Sequence, residues 1–151
     1  MWRAVIGKIP SAIALCQRGV KIDSTSCGSC ITGTDSADHS LIACPFACHI
    51  REMIFRWCDI DHREIHTVGE LVTFAADWGT CPKKRKRLIA ICYGMIWSIW
   101  KVRNSMIFNN TFERPYMVVE SIKTMVFMWI KCRSKIDFCS WENWVSSPLT
   151  M

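Results

Sequence analysis

Three thiols and one imidazole fall within eighteen residues of this chain: Cys27, Cys30, His39 and Cys44, spaced C-x2-C-x8-H-x4-C. Thiolate sulfur and imidazole nitrogen together suit zinc, and four protein donors with no position left open define a closed, tetrahedral structural site. A lone C-x2-C pair carries little information. A His and a third Cys at compact spacing make the four residues a candidate Zn2+ site in which the metal contributes folding energy, not catalysis. Cys48 and His49, one helical turn beyond Cys44, are alternative ligands on the same chemistry.

Lys83, Lys84, Arg85, Lys86 and Arg87 form the second chemical feature. Five consecutive cations suit a nuclear-localisation or nucleic-acid patch, and equally a solvated helix start. Cations at a helix N-terminus oppose the macrodipole, so a purely structural helix would sooner carry Asp or Glu there. The charge distribution points the same way. Residues 1–80 carry seven Lys/Arg against nine Asp/Glu, and residues 81–151 carry twelve against four, within a net charge of +6. The stretch from 21 to 44 holds one Lys and three Asp, so electrostatic affinity for nucleic acid is expected from the second half of the chain.

Other groups read as structural. Trp97, Trp100, Trp129, Trp141 and Trp144 are of the type that stacks on bases, but their helical spacing makes core packing the better expectation. Asp59, Asp61 and Glu64, with His62 and His66, read as a solvated acidic loop. There is no G-x-S-x-G elbow, no phosphate-cradling Gly-rich loop and no adjacent Asp pair suited to polymerase metals, so the chain alone is expected to be catalytically inert.

The elements that must position these groups are mostly helical. Pro10 and Ser11 open a short helix that Gly19 ends, and 20–26 is extended or irregular. Gly28, Gly33 and the Asp and Ser residues from Thr34 to Ser40 read as loop. Pro45 then starts an amphipathic helix through Phe46, Ile50, Met53 or Ile54, and Trp57. Cys44 sits at its positive end, which favours a thiolate. A weaker helix spans about 68–78, and Gly79 to Pro82 is a break. Leu88, Cys92, Met95, Ile99, Val102 and Met106 define a long helix, with a second apolar row through Ile89, Tyr93, Ile96, Trp100 and Ile107 that predicts burial on two faces. After a turn at 109–111, Pro115 opens a helix whose stripe is Val118, Ile122, Met125, Trp129 and Cys132, giving an antiparallel hairpin over 84–133. Trp141 and Trp144 are expected to seal one end, and 146–151 to fray.

Half of the 151 residues are apolar, which marks a folding sequence. The longest uncharged stretch, 88–100, is thirteen residues, against about 20 for a membrane span. The first ten residues lack the apolar core and cleavage site of a signal peptide. The remaining cysteines, Cys16, Cys48, Cys58, Cys81, Cys92, Cys132 and Cys139, are irregularly spaced, so a reducing, intracellular setting is expected, with nuclear entry suggested by the basic run.

Several blocks of the chain resemble the reverse-transcriptase zinc-binding domain at the C-terminal end of plant non-LTR (LINE-type) retrotransposon polyproteins. They are Trp2-Arg-Ala-Val with Lys8-Ile-Pro10 and Arg18-Gly-Val20, Cys27-Gly-Ser-Cys30, Asp38-His39-Ser-Leu41 and Ala43-Cys44-Pro-Phe-Ala47, then Ile96-Trp-Ser-Ile-Trp-Lys-Val-Arg-Asn104, Ile107-Phe-Asn109 and Ser140-Trp-Glu-Asn-Trp144. The resemblance implies that Cys27, Cys30, His39 and Cys44 are zinc ligands. It implies an accessory role beside an RNA-directed DNA polymerase, contacting element RNA or target DNA, with the parent polymerase as a further partner. The polymerase palm and endonuclease of complete elements are missing, so the chain looks like a detached fragment of such an element.

The sequence therefore predicts a mainly α fold. A small Cys3His zinc module of short irregular or extended segments docks on a helical domain with a long hairpin. The expected division is 1–58 (lead-in helix, metal module and following helix), 59–82 (acidic linker with a weak helix) and 83–151 (basic, Trp-rich hairpin and tail). The expected function is zinc-stabilised nucleic-acid binding without membrane or small-molecule substrate. Its rivals are a protein–protein assembly module and a non-functional remnant.

Overall fold

The computed structural model describes residues 2–133 and 139–150. It is mainly helical. In chain order the helices are α1 (Trp2–Val5), α2 (Ala12–Gln17), a single π-helical turn (His39–Ala43), α3 (Pro45–Trp57), α4 (Val68–Asp77), α5 (Pro82–Asn109), α6 (Pro115–Arg133) and α7 (Trp141–Ser146). Among the described residues there is no strand, only one isolated antiparallel bridge between Ser26 and Thr34.

Local chemistry fixes most boundaries. Ser11 caps α2 by accepting from the Ala14 N–H, and Thr67 caps α4 by accepting from the Glu70 N–H. Proline occupies the first turn of α3 and α5, where a missing N–H is harmless. Asn110, in the left-handed region at φ 51°, stops α5, and its N–H returns to the carbonyls of Ser105 and Met106.

Helix α5 is the spine, packed against α6, α4, α3 and the π turn. The predicted hairpin is present as α5 and α6. Gly94 makes their close approach possible: a Cβ there would stand 2.4 Å from a methyl of Val126. Ile122 and Val126 of α6 approach Gly94 in the seam, and with Leu88, Ile91, Cys92, Met95 and Ile99 they belong to one continuous cluster of buried apolar residues that runs from Ala4 to Leu149. The three segments distinguished in the sequence thus share a single core. No described helix is long and apolar enough to cross a membrane.

Three expectations change at the surface and at the end of the chain. Trp144 is fully buried, meets Trp57 edge-on at 5.2 Å and donates its indole N–H to the Lys123 carbonyl, as a sealing residue should. Trp97 (50 % exposed), Trp129 and Trp141, however, stand at the surface. The second apolar row of α5 is likewise only partly covered, since Tyr93 and Ile107 are exposed where no helix packs over them. Nor does the tail fray over its described length. Leu149 is buried, and the Pro148 carbonyl accepts from Arg87. Met151 lies outside the described residues.

Candidate metal centre

Cys27 and Cys30 lie on a tight turn closed by backbone hydrogen bonds. The Cys27 N–H donates to Gly33 O, the Ile31 N–H to Cys27 O and the Thr32 N–H to Cys30 O, at 2.7–2.8 Å. Ile31 takes φ 66°, an uncommon and strained choice for a β-branched residue, with its side chain in solvent. The N–H groups of Ser29 and Cys30 both reach the Cys27 sulfur. Such a knuckle presents two sulfurs on one side.

His39 and Cys44 come from the opposite side, at the two ends of the π turn. The Cys44 N–H donates to His39 O at 2.7 Å, an i to i+5 bond that brings the ends of the x4 spacing together. Residues 34–40 were expected to be loop throughout. The π turn replaces its last part, because an α-helical turn would carry residues five apart to different faces. Cys44 then serves as the N-cap of α3, as its position before Pro45 predicts.

The four ligand atoms lie within 4.8 Å of one another. Cys27 Sγ and Cys44 Sγ are 3.8 Å apart, and Cys30 Sγ and His39 Nε2 are 3.2 Å apart. Four donors about 2.0–2.3 Å from a tetrahedral centre stand roughly 3.3–3.8 Å from each other, so the cluster fits a small, four-coordinate metal ion. It is the one such group among the described residues. Cys48 does not join it. Its sulfur lies 3.2 Å from the Ile42 carbonyl, which Arg51 also holds at 2.8 Å, and His49 points to solvent.

Protonation follows this geometry. The hydrogen bond with the Cys44 thiol, aided by the Ser29 and Cys30 N–H groups, holds Cys27 down to about 4 against the effect of burial. Cys44 moves the other way, raised by that same Cys27 partner and by burial. Its position at the N-terminus of α3, expected to favour a thiolate, supplies only the opposing Phe46 N–H. For Cys30, burial acts upward but is outweighed by the Thr32 hydroxyl, the Gly33 N–H and His39, which lower it. Burial also works against the His39 imidazolium, yet the Cys30 and Cys27 sulfurs raise its affinity for a proton. The site thus draws positive charge toward its sulfurs, which is what a metal cation supplies.

Two residues essential to this geometry read in the sequence only as loop. Gly33 packs against the ligand itself: a Cβ would lie 2.1 Å from His39 Cε1 and 2.3 Å from Nε2. Asp35 is completely buried between the ligand pairs. It accepts from the Ala12 N–H at 2.7 Å and the Ser40 hydroxyl at 2.6 Å, and pairs in bidentate fashion with Arg103 of α5. Arg103 also lies 4.7 Å over the Trp100 ring. This pair bolts the metal module to the spine helix. The available signal was Arg103 itself, a charge in register with Cys92, Ile96 and Ile99 on a buried face. Asp38 adds a second strap by accepting from the Val68 N–H at the start of α4.

The basic run occupies the first turns of α5. Lys83 and Lys86 are exposed and Lys84 is half-buried. Arg85 donates to the Trp78 and Gly79 carbonyls, and Arg87 to Pro148 O, so both guanidinium groups also fasten neighbouring segments. The run and the Cys3His cluster lie near opposite ends of α5: the cluster's knuckle faces the other end, where the Ser29 hydroxyl meets the Met106 sulfur and Gly28 approaches Ile107. Asp59, Asp61, His62 and Glu64 are exposed, as a solvated loop should be. No family model, curated protein or solved structure matches this chain.

Proposed function

We propose that the chain is a zinc-stabilised nucleic-acid-binding module with no catalytic step of its own, of the kind attached to non-LTR retrotransposon reverse transcriptases. Three sulfurs and one imidazole nitrogen favour zinc over hard, oxygen-seeking cations such as Mg2+ or Ca2+. Bound there, zinc would be held by Cys27, Cys30, His39 and Cys44 and would fix the knuckle to the π turn. The observation that carries the binding role is the lysine group at the start of α5, Lys83 and Lys86 exposed and Lys84 half-buried, within a half-chain that holds twelve cations against four carboxylates. Phosphate contacts of this type give affinity without sequence preference. The same run supports nuclear entry, and element RNA or target DNA are the partners this reading names.

Two measurements test it. Protein purified under reducing conditions should hold one zinc per chain, lost in His39→Ala. The triple variant Lys83→Ala/Lys84→Ala/Lys86→Ala should bind RNA and DNA more weakly at all sequences, with the slope of log K against log salt smaller by about 3 on duplex DNA. Equal binding by variant and parent at every salt concentration would remove the lysines from the role.

A second reading has its own observation. Ile107 and Phe108 are exposed (Phe108 at 76 %) beside Ile22 and Gly28, forming an apolar rim next to the acidic finger. A docking module for another protein, such as a parent polymerase, fits that rim. Flat salt dependence combined with concentration-dependent assembly would favour it.

A further inference from the structure

The exposed aromatic side chains of α5 are not scattered. Tyr93, Trp97 and Trp100 form one wall of an open groove of about 680 Å³, facing Trp129 of α6. Arg3 of α1 and Arg133 at the end of α6 complete its lining, which among the described residues includes no carboxylate. Leu41 of the π turn also contributes, two residues from the ligand His39, so the groove is continuous with the metal module.

The groove extends along the helix as a stripe. Lys83, Lys86, Tyr93, Trp97 and Lys101 are all exposed, at spacings of three, seven, four and four that place them on one side of α5. Cations therefore flank the aromatic wall at both ends, and Lys86 to Trp97 spans about 16 Å of helix axis. Half-exposed indoles that close no core are unusual in a chain that buries Trp144 completely.

We propose that this groove binds single-stranded nucleic acid, with unpaired bases stacking on Trp97, Tyr93 and Trp129 and the backbone following Arg3, Arg133, Lys86 and Lys101. Charge complementarity selects the occupant. An aromatic wall bordered by cations, with no acid among its described lining residues, suits a polyanion with accessible π-faces. A duplex hides those faces in its stack and can engage only the cations. The proposal rests on the nucleic-acid-binding reading above, adding which strand state is recognised and where.

The test is a titration of the full zinc-loaded chain with labelled oligothymidylate of about 12 nucleotides, within the site sizes such surfaces cover. A hairpin duplex of similar phosphate count serves as comparison, and far-UV circular dichroism checks each variant's fold. Single strand should bind more tightly than duplex and quench tryptophan fluorescence. Trp97→Ala should lower single-strand affinity roughly 5- to 100-fold and leave duplex affinity unchanged, as should Trp129→Ala. Trp97→Phe, which keeps an aromatic face and protects against a folding artefact, should retain most of the binding. Equal affinity for the two probes, unaffected by the tryptophan variants but lowered by the triple lysine variant, overturns the groove while leaving the lysine-based reading intact. Absence of binding to either probe at low salt overturns both. Concentration-dependent self-association that Trp97→Ala abolishes, without single-strand preference, assigns the groove to a second copy of this chain and overturns the proposal.

Discussion

At the residue scale, the metal centre depends on side chains that hold no metal. Gly33 is required because the His39 ring occupies the space a Cβ would fill. Neither partner can give way easily, since the ring is one of the four clustered donors and Gly33 O accepts from the Cys27 N–H. Gly33→Ala should therefore lower metal affinity by at least tenfold in a competition titration against a chromophoric chelator; unchanged affinity would show that the knuckle can shift without losing the imidazole. Asp35 and Arg103 have a different logic. Burial raises the Asp35 pKa, but hydrogen bonds from Arg103, Ser40 and the Ala12 N–H lower it further, leaving it below the ordinary carboxylate value. A depressed folded-state pKa stabilises the protein above the unfolded value, near 4, and that contribution is lost as pH falls through the folded value. Asp35→Asn should accordingly be less stable than the parent at neutral pH, by about 3–5 kcal/mol, with the difference shrinking in chemical denaturation as pH falls below the ordinary carboxylate value. The double variant Asp35→Leu/Arg103→Met should be less destabilised than the sum of the single changes, because neither charge is left alone in the core. The ligand types and spacing were legible in the sequence because donor chemistry is local. Gly33 and Asp35 were not, since their roles are set by what folds over them.

At the element scale, the helices that repeat an apolar side chain every three or four residues were readable to within a few residues. Predicted 68–78 became Val68–Asp77, and the hairpin became Pro82–Asn109 and Pro115–Arg133. The π turn was not readable, because five residues carry no period and the turn is defined by one backbone bond from Cys44 to His39. The exposure of Tyr93 and Trp97 was hidden for another reason. A hydrophobic pattern says that a face is apolar, not that another element reaches it. The α5–α6 crossing supplies the test at this scale. Gly94→Ala gains roughly 1 kcal/mol of helix propensity but drives a methyl to 2.4 Å from Val126. Overpacking of about 1–3 kcal/mol should win or cancel that gain. The expected result is a lowered melting temperature, and adding Val126→Ala should restore part of it by opening the same space. A melting temperature raised by Gly94→Ala would mean that the two helices can separate at no cost.

At the scale of the whole molecule, stability is unevenly distributed, and the metal should govern only one part of it. Between Val20 and Asp38 the buried residues are Cys27, Asp35 and Ala37 alone, so this stretch brings almost no apolar surface to the core. Its order rests on the four ligands, the Ser26–Thr34 bridge and the Asp35–Arg103 pair. By contrast, α3, α5 and α6 bury Ile50, Ile54, Leu88, Met95, Ile99 and Ile122 against one another with no contribution from the metal. A metal that binds only the folded finger stabilises it by about 4 kcal/mol at a free concentration 1,000 times its dissociation constant, and chelation removes that amount locally. The expected outcome of chelation in reducing buffer is therefore partial. Amide hydrogen exchange should accelerate in peptides covering 20–44 and stay slow across α5 and α6, while most helical circular dichroism survives. Asp35→Asn should make the finger open at a lower chelator concentration, since the ion pair and the metal secure the same segment and each must strengthen the other's hold. Global, cooperative loss of helix on chelation would instead place the metal at the centre of the entire fold. In that case Leu41 and Ile42, buried on the π turn that the ligands close, are the route by which its loss reaches α5.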